Sequence, residues 1–261
     1  FYKPNVQVSM EIHRIRVDPE LFRTAPMADR ALFLGVGHVS NELNWLQRVM
    51  LFSFKGAIEL DHIQAYEAGQ AMAFGRIIAG KLHEANGLLR RSYFGTKLSI
   101  EYRDRLNPEA RLGLDNFNNY FSSGNLVTRI RNHVAFHYNA DRLVRDLEDT
   151  PPDKSWCLYL SKSNMNSFYS ISETAAVASM IKNIDAEDIE GSMIRYLDEV
   201  GSCIRNFNDF SQGYMIAFCE RYFPENWYKS SAEVINIHFA PLLQEISLPL
   251  FIGVDEEEKG Q

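Results

Sequence analysis

The chain has little of the features that assign a protein to a class at once. Its three cysteines, Cys157, Cys203 and Cys219, are widely spaced and form no Cys-x-x-Cys pair. A disulfide framework or a cysteine-rich zinc site is therefore not expected, because both need paired or closely spaced cysteines. Three reduced thiols packed as small apolar groups are the better interpretation, and they favour the cytoplasm.

The sequence also lacks long apolar runs, excess positive charge and the common enzyme motifs. Its apolar runs fall far short of the roughly 20 residues that a membrane span needs, so no membrane partner is expected. A net charge of −7 argues against a broad basic surface for nucleic acid, although a local basic patch is compatible with it. No phosphate-binding loop, nucleophile elbow or dinucleotide fingerprint is present. We expect no cofactor.

What the sequence does have is helical periodicity. A helix is predicted from 27 to 54, where the apolar positions are spaced three or four residues apart: Leu32, Val36, Val39, Leu43, Leu46 and Met50. Asp29 lies in its first turn, where a negative charge interacts favourably with the helix dipole. A second pattern covers about 57 to 94 and contains Gly69, Gly75, Gly80 and Gly87. These glycines either allow close helix packing or break the pattern into two helices, and both interpretations stay open.

Cap and linker signals divide the rest of the chain. Asn107 followed by Pro108 predicts a helix to about 121, and Asn139 predicts a cap before a helix at 142–147. A helix over 126–138 lies between them. After a linker at 150–153, 156–160 and 167–171 are predicted to be two short strands of a hairpin. Helices at 172–182 and 185–222 follow.

The predicted fold is therefore mainly α, a helical bundle with a small β-hairpin in the C-terminal half. We divide it into an N-terminal arm at 1–26, with a weakly alternating edge strand, and a bundle at 27–150. The remaining residues, 151–261, are predicted to supply the hairpin and C-terminal helices packed on the same core.

One stretch suggests chemistry: Arg131-Asn132-His133-Val134-Ala135-Phe136-His137-Tyr138. On a helix with about 100° per residue, Val127, Ile130, Val134 and Tyr138 form one apolar stripe. Arg131 and His137 then lie about 60° to either side of its centre. An arginine offers a permanent charge to phosphate oxygens, and a histidine can exchange protons with a ribose hydroxyl or a leaving oxygen near neutral pH. This pair suits phosphodiester chemistry.

These residues resemble the signature of the HEPN superfamily of helical-bundle proteins. That signature is an Arg, often followed by a polar residue, and then a His after four to six positions, near the end of a bundle helix. Here five residues separate Arg131 from His137, and the second residue is Asn132. The resemblance implies a metal-independent endoribonuclease in which two protomers share one cleft. Arg131 would hold the scissile phosphate, His137 would act as general acid/base and Asn132 would orient one of them.

The resemblance also bears on partners. Members act in toxin–antitoxin, abortive-infection (phage defence) and RNA-processing settings, so RNA, a second copy of the chain and an antitoxin or other partner protein are expected. We predict RNA contacts from Arg129, His133, Tyr138, Arg142 and Arg145. Asp and Glu residues at 141–149 could instead neutralise the arginines. Many toxin members place Tyr two positions after the His, whereas Tyr138 follows directly, which leaves its role open.

Three alternatives compete with this interpretation. His133 and His137 have a zinc-compatible spacing, but Val134 stands where the zincin pattern needs Glu. Glu59 and His62 have the Glu-x-x-His spacing of di-iron bundles, but the sequence has no second such pair. We therefore predict no metal site. The third alternative is a non-catalytic helical binding protein that retains the motif.

Overall fold

The computed structural model describes residues 8–53, 61–132, 139–149, 156–182, 189–228, 232–246 and 248–253. Within these ranges the chain forms nine α-helices and one two-stranded antiparallel sheet. The predicted class, mainly α with a small antiparallel β element, is confirmed. Among the helices in these ranges, none has both the length and the apolar character that a membrane crossing requires.

The first half of the bundle is built on two long helices. A short helix α1, Pro19–Thr24, precedes α2, Met27–Phe52, and α3, Asp61–Ser92. The periodic apolar positions of α2 face inward, since Leu32, Val36 and Leu43 are fully buried. This face packs on α3. The predicted start of α2 at 27 is confirmed.

The glycines of α3 allow close packing and do not break the helix, which is continuous. A Cβ at Gly75 would lie 2.8 Å from the Tyr196 hydroxyl oxygen, and one at Gly69 would lie 2.9 Å from the Phe168 ring. Larger side chains at these positions would push the aromatic rings off α3. Of the two interpretations of this segment, the structure supports a single helix.

Three shorter helices follow, and asparagine caps begin two of them. They are α4, Lys97–Arg103, α5, Pro108–Phe121, and α6, Leu126–Ile130. The Asn107 side chain accepts a hydrogen bond from the Ala110 amide at 2.8 Å, and the Asn125 side chain accepts one from the Thr128 amide at 2.8 Å. Each bond satisfies an amide that the first turn of a helix leaves unpaired. The cap and the bounds predicted for α5 are confirmed.

The C-terminal helices are α7, Ala140–Glu148, α8, Ser170–Ile181, and α9, Ile189–Tyr222. The predicted Asn139 cap of α7 is confirmed, since its side chain accepts from the Arg142 amide at 3.0 Å. Helix α7 packs on α8, and α9 packs on α5 and α2. A Cβ at Gly113 would lie 2.6 Å from the Asn206 carbonyl oxygen, so α5 and α9 cross with their backbones close together.

Aromatic rings fill the core between α3, α4, α5 and α9. The largest fully buried side chains include the rings of Tyr93, Tyr102, Phe117, Tyr196, Phe207, Phe210, Tyr214 and Phe218. Rings of this size each remove a large apolar area from water on folding. Half of these rings belong to the last two thirds of α9, so that helix is central to the core.

The sheet joins the two ends of the described chain. Strand β1, Val8–Ile15, pairs antiparallel with β2, Ala232–Ala240, in a register that places Ile12 opposite Ile235. The predicted N-terminal edge strand is thus confirmed. The hairpin placed at 156–171 is wrong in extent, because those residues form a single bridge between Tyr159 and Phe168. Ser170 and Ile171 already belong to α8, which removes the second strand.

Candidate functional site

Arg131 is the C-cap of α6 and lies against the C-terminal third of α3. The apolar side of α6 is buried, with Val127 and Ile130 inaccessible to solvent. This agrees with the predicted stripe, and it turns Thr128 and Arg131 toward the edge where α6 meets α3. The helix widens into a π-turn at Arg131 and Asn132. Turns of this kind occur often at functional sites.

The Arg131 guanidinium is half-exposed and only loosely paired. Its side chain is 35% exposed, and Nη1 donates a hydrogen bond to Asn132 Oδ1 at 3.1 Å. Its Nη2 lies 3.8 Å from Oε1 of Glu84 on α3, whose side chain is 60% exposed. Exposed pairs at this distance contribute little to stability. The guanidinium can therefore turn to a ligand at low cost.

Next to Glu84, His83 makes the second contact between α3 and α6. His83 Nδ1 lies 3.4 Å from the Thr128 hydroxyl oxygen. Burial, and then the positive charge of Arg131, lower the pKa of His83 below its ordinary value, while Glu84 acts in the opposite direction. The imidazole is therefore neutral at pH 7 and has a lone pair to accept a proton. We call His83, Glu84, Thr128, Arg131 and Asn132 the Arg131 cluster.

Three of the five predicted RNA contacts are described, and they fall into two groups. Arg129 and Arg145 are exposed. Arg142 is half-buried, and its Nε lies 3.3 Å from Asp146 Oδ2. Burial raises the pKa of Asp146, but hydrogen bonds from Ser179, Lys182 and Arg142 outweigh it and lower the pKa overall. Arg142 is thus part of a polar network between α7 and α8. This agrees with the alternative that acidic residues at 141–149 neutralise the arginines.

Three predicted site residues, His133, His137 and Tyr138, lie outside the described residues. The distance between Arg131 and His137 therefore stays a prediction, as does a zinc pair of His133 and His137. Asn132 is exposed and serves as the acceptor for Arg131. Its predicted role of orienting Arg131 is compatible with this contact.

The di-iron alternative needs further acidic ligands beside Glu59 and His62, and Glu42 is a candidate for one of them. Glu59 lies outside the described residues, and the His62 ring packs near Tyr159, at 6.3 Å between centroids. Glu42 is bound to Lys81 at 2.6 Å. Across the described part of the chain, no group of three or more His, Cys, Asp or Glu side chains could hold a metal ion.

A concave region lies between the strand β1 and the C-terminal half of α9. It has a volume of about 830 Å³ and is lined mainly by apolar and aromatic side chains, among them Phe33, Met215, Ile216 and Trp227. Cys219 also lines it, but burial raises the pKa of its thiol to about 11, which makes the thiol unreactive at neutral pH. The size is typical of small-molecule pockets.

Sequence reasoning missed His83, Glu84 and Thr128 as neighbours of Arg131. One signal was present: two polar residues stand between Leu82 and Ala85, which are both fully buried. Polar side chains flanked by core positions border a helix interface, where they can meet the polar edge of another helix. Which helix they meet depends on packing between distant segments, and periodicity does not encode it.

No protein-family model, no curated protein and no solved structure matches this chain. The assignment to a family therefore rests on the motif alone, and it remains a resemblance.

Proposed function

We propose that the chain is a metal-independent, HEPN-like endoribonuclease that acts as a homodimer. The observation that carries this proposal is the loose pairing of Arg131. The Arg131 side chain is 35% exposed, and the neighbouring Glu84 carboxylate lies 3.8 Å away on a side chain that is 60% exposed. A guanidinium in this setting can bind a phosphate without leaving a buried charge unpaired.

The proposed reaction uses the ribose 2′-hydroxyl of RNA as the nucleophile. The 2′-oxygen attacks the adjacent phosphorus, the bond to the 5′-oxygen breaks, and the products carry a 2′,3′-cyclic phosphate and a 5′-hydroxyl. Arg131 stabilises the charge that develops on the phosphate oxygens. Asn132 restrains the guanidinium, and His137 supplies proton transfer, as the resemblance implies.

The setting of the reaction is also part of the proposal. Arg129 and Arg145 are exposed and can contact the RNA backbone, whereas Arg142 would first have to leave Asp146. A toxin–antitoxin or phage-defence role, an antitoxin-like partner and a cytoplasmic location follow from the motif and the cysteine usage. They are proposed on those grounds only.

A cleavage assay tests the proposal directly. Structured and single-stranded RNAs are incubated with the purified full chain in EDTA, with Arg131→Ala and His137→Ala as test variants. We expect wild-type cleavage to persist in EDTA, because the charges come from side chains. Each substitution should lower the rate on the order of 100- to 1,000-fold, because a preorganised charge or a proton carrier is lost.

Arg23→Ala is the matched control. Arg23 is an exposed arginine on α1 whose only ion pair in the described residues is with Glu20 on the same helix. It should leave the cleavage rate unchanged. Wild-type-like cleavage by Arg131→Ala would contradict the proposed site, and no cleavage by the wild type on any RNA would contradict the proposed reaction. Retained melting temperatures would exclude misfolding.

A second candidate function is a non-catalytic binding protein. The 830 Å³ pocket beside β1 favours it, because the pocket is largely apolar and is separate from the Arg131 cluster. This function predicts no cleavage and no effect of Arg131→Ala, so the same assay separates the two candidates.

A further inference from the structure

His83 occupies a position that the HEPN-like motif does not account for. It lies on α3, next to fully buried Leu82, and its ring reaches the first turn of α6 at Thr128. Thr128 and Arg131, the helical C-cap of α6, are three residues apart, so their side chains share one face. The imidazole and the guanidinium therefore border the same edge between two helices.

The contact with Thr128 involves one of the two ring nitrogens of His83. Nδ1 faces the Thr128 hydroxyl oxygen at 3.4 Å. In the described part of the chain, Nε2 has no hydrogen-bond partner. When Nδ1–H donates to the hydroxyl, Nε2 carries the lone pair that a base needs.

We infer that His83 is the general base of the proposed cleavage, accepting the 2′-hydroxyl proton at Nε2 while Thr128 holds the ring. This inference rests on the proposed function and adds a residue to it. The 2′-oxygen forms its bond to phosphorus as its proton passes to His83, and Arg131 stabilises the phosphate oxygens. The 5′-oxygen leaves with the electron pair of the broken bond and takes a proton from His137 or from water. The proton on His83 then returns to solvent.

The local charges fit this role. The charged groups that act on His83 are Glu84 on its own helix and Arg131 on α6. Burial and Arg131 keep the ring neutral at pH 7, so it is ready to accept a proton. A histidine that starts protonated would have to lose a proton first.

The test is the pH dependence of single-turnover cleavage, from about pH 5 to 9, with His83→Gln, Thr128→Val and Arg131→Ala beside the wild type. On the acid side the wild-type rate should rise with pH, and the midpoint of this rise should lie below the ordinary histidine pKa of about 6.5. His83→Gln should lose on the order of 100-fold or more and also lose this acid limb. Thr128→Val should lower the rate less. Arg131→Ala should lower it at every pH without removing the limb.

A chemical rescue separates catalysis from structure. Added imidazole should restore part of the activity of His83→Ala and none of that of Arg131→Ala. If His83→Gln cleaves at the wild-type rate with an unchanged acid limb while Arg131→Ala is inactive, His83 is not the general base. The proposed function would stand in that case. No cleavage by the wild type would overturn the proposed function and this role with it.

Discussion

Two arginines at helix interfaces have opposite surroundings. Arg131 is half-exposed, and the carboxylate beside it is mostly exposed. Arg221 on α9 donates to Glu101 at 2.8 Å, lies 3.7 Å from buried Asp29, and sits 5.2 Å from the centres of the Tyr102 and Tyr222 rings. Arg221 is thus surrounded by two carboxylates and two aromatic rings, whereas Arg131 has one loosely placed, exposed carboxylate beside it.

Asp29 explains why the second region is structural. It is 3% exposed, and its Oδ1 accepts hydrogen bonds from the hydroxyls of Tyr102 and Tyr222, each at 2.7 Å. These contacts tie α2 to α4 and α9. We call Asp29, Glu101, Tyr102, Arg221 and Tyr222 the Asp29 cluster. Polar groups satisfied in this way stabilise one packing arrangement, whereas partly satisfied groups at an edge can take a ligand.

The largest effect on stability is expected for Asp29→Ala. The substitution removes the acceptor of two tyrosine hydroxyls, one on a buried and one on a half-buried side chain, and one negative charge near Arg221, which should cost about 3 kcal/mol. Urea denaturation measures the loss. Asp115→Ala is the matched control, since Asp115 also pairs with an arginine but is 48% exposed. It should cost about 0.5 kcal/mol or less, and equal losses for the two variants would remove the contrast between the clusters.

The Asp29 cluster should also make the fold sensitive to alkali. Burial, and then the hydrogen bond to Asp29, raise the pKa of Tyr222 to about 12. Because the unfolded side chain ionises near its ordinary pKa of about 10, this contribution is present below pH 10 and is lost as the pH rises toward 12. Urea midpoints between pH 8 and 12 should fall less steeply for Tyr222→Phe than for the wild type. Tyr169→Phe, at an exposed tyrosine, is the control, and its urea midpoints should fall with pH as steeply as those of the wild type. An equally steep fall in Tyr222→Phe would contradict the prediction.

The Arg131 cluster should make the stability of the fold depend on pH at the acid end of the range, with a smaller effect than that of the Asp29 cluster in alkali. The lowered pKa of His83 means that the unfolded chain takes up a proton at a higher pH than the folded chain. Its contribution to stability is therefore complete above about pH 6.5 and is lost as the pH falls through the folded pKa. Stability measured in urea between pH 5 and 8 should vary less in His83→Gln. His38→Gln, at an exposed histidine, controls for the loss of any histidine. If the stability of His83→Gln falls with decreasing pH as steeply as that of the wild type, the pKa of His83 is not lowered by its surroundings.

Local sequence predicts the elements well because local interactions form them. Asn107 and Asn139 cap the helices that they were expected to cap, and the apolar steps of α2 mark its buried face. The strand predicted at 167–171 is wrong because packing between distant segments decides its conformation. Its residues are compatible with either state, and Ser170 starts a helix because α8 packs on α7 and α3.

The sites are harder to predict, because contacts between distant segments form them. The helical wheel puts Arg131 beside the buried Val127 and Ile130, as observed. It says nothing of His83, which is 45 positions away from its contact Thr128. Asp29 likewise looks like a favourable first-turn charge, and its tyrosine partners are 73 and 193 positions away.

The pairing of β1 with β2 has a consequence for the folding of the chain. It joins residues such as Arg14 and Glu233, which are 219 positions apart, so closing this loop carries a large entropic cost. The strands pair mainly with each other and pack little on the helices, and an isolated two-stranded ribbon is only marginally stable. The ribbon therefore forms after the bundle and opens before it. Its amides should exchange with solvent far faster than those of α9, which makes the ribbon a separate, low-stability unit of the molecule.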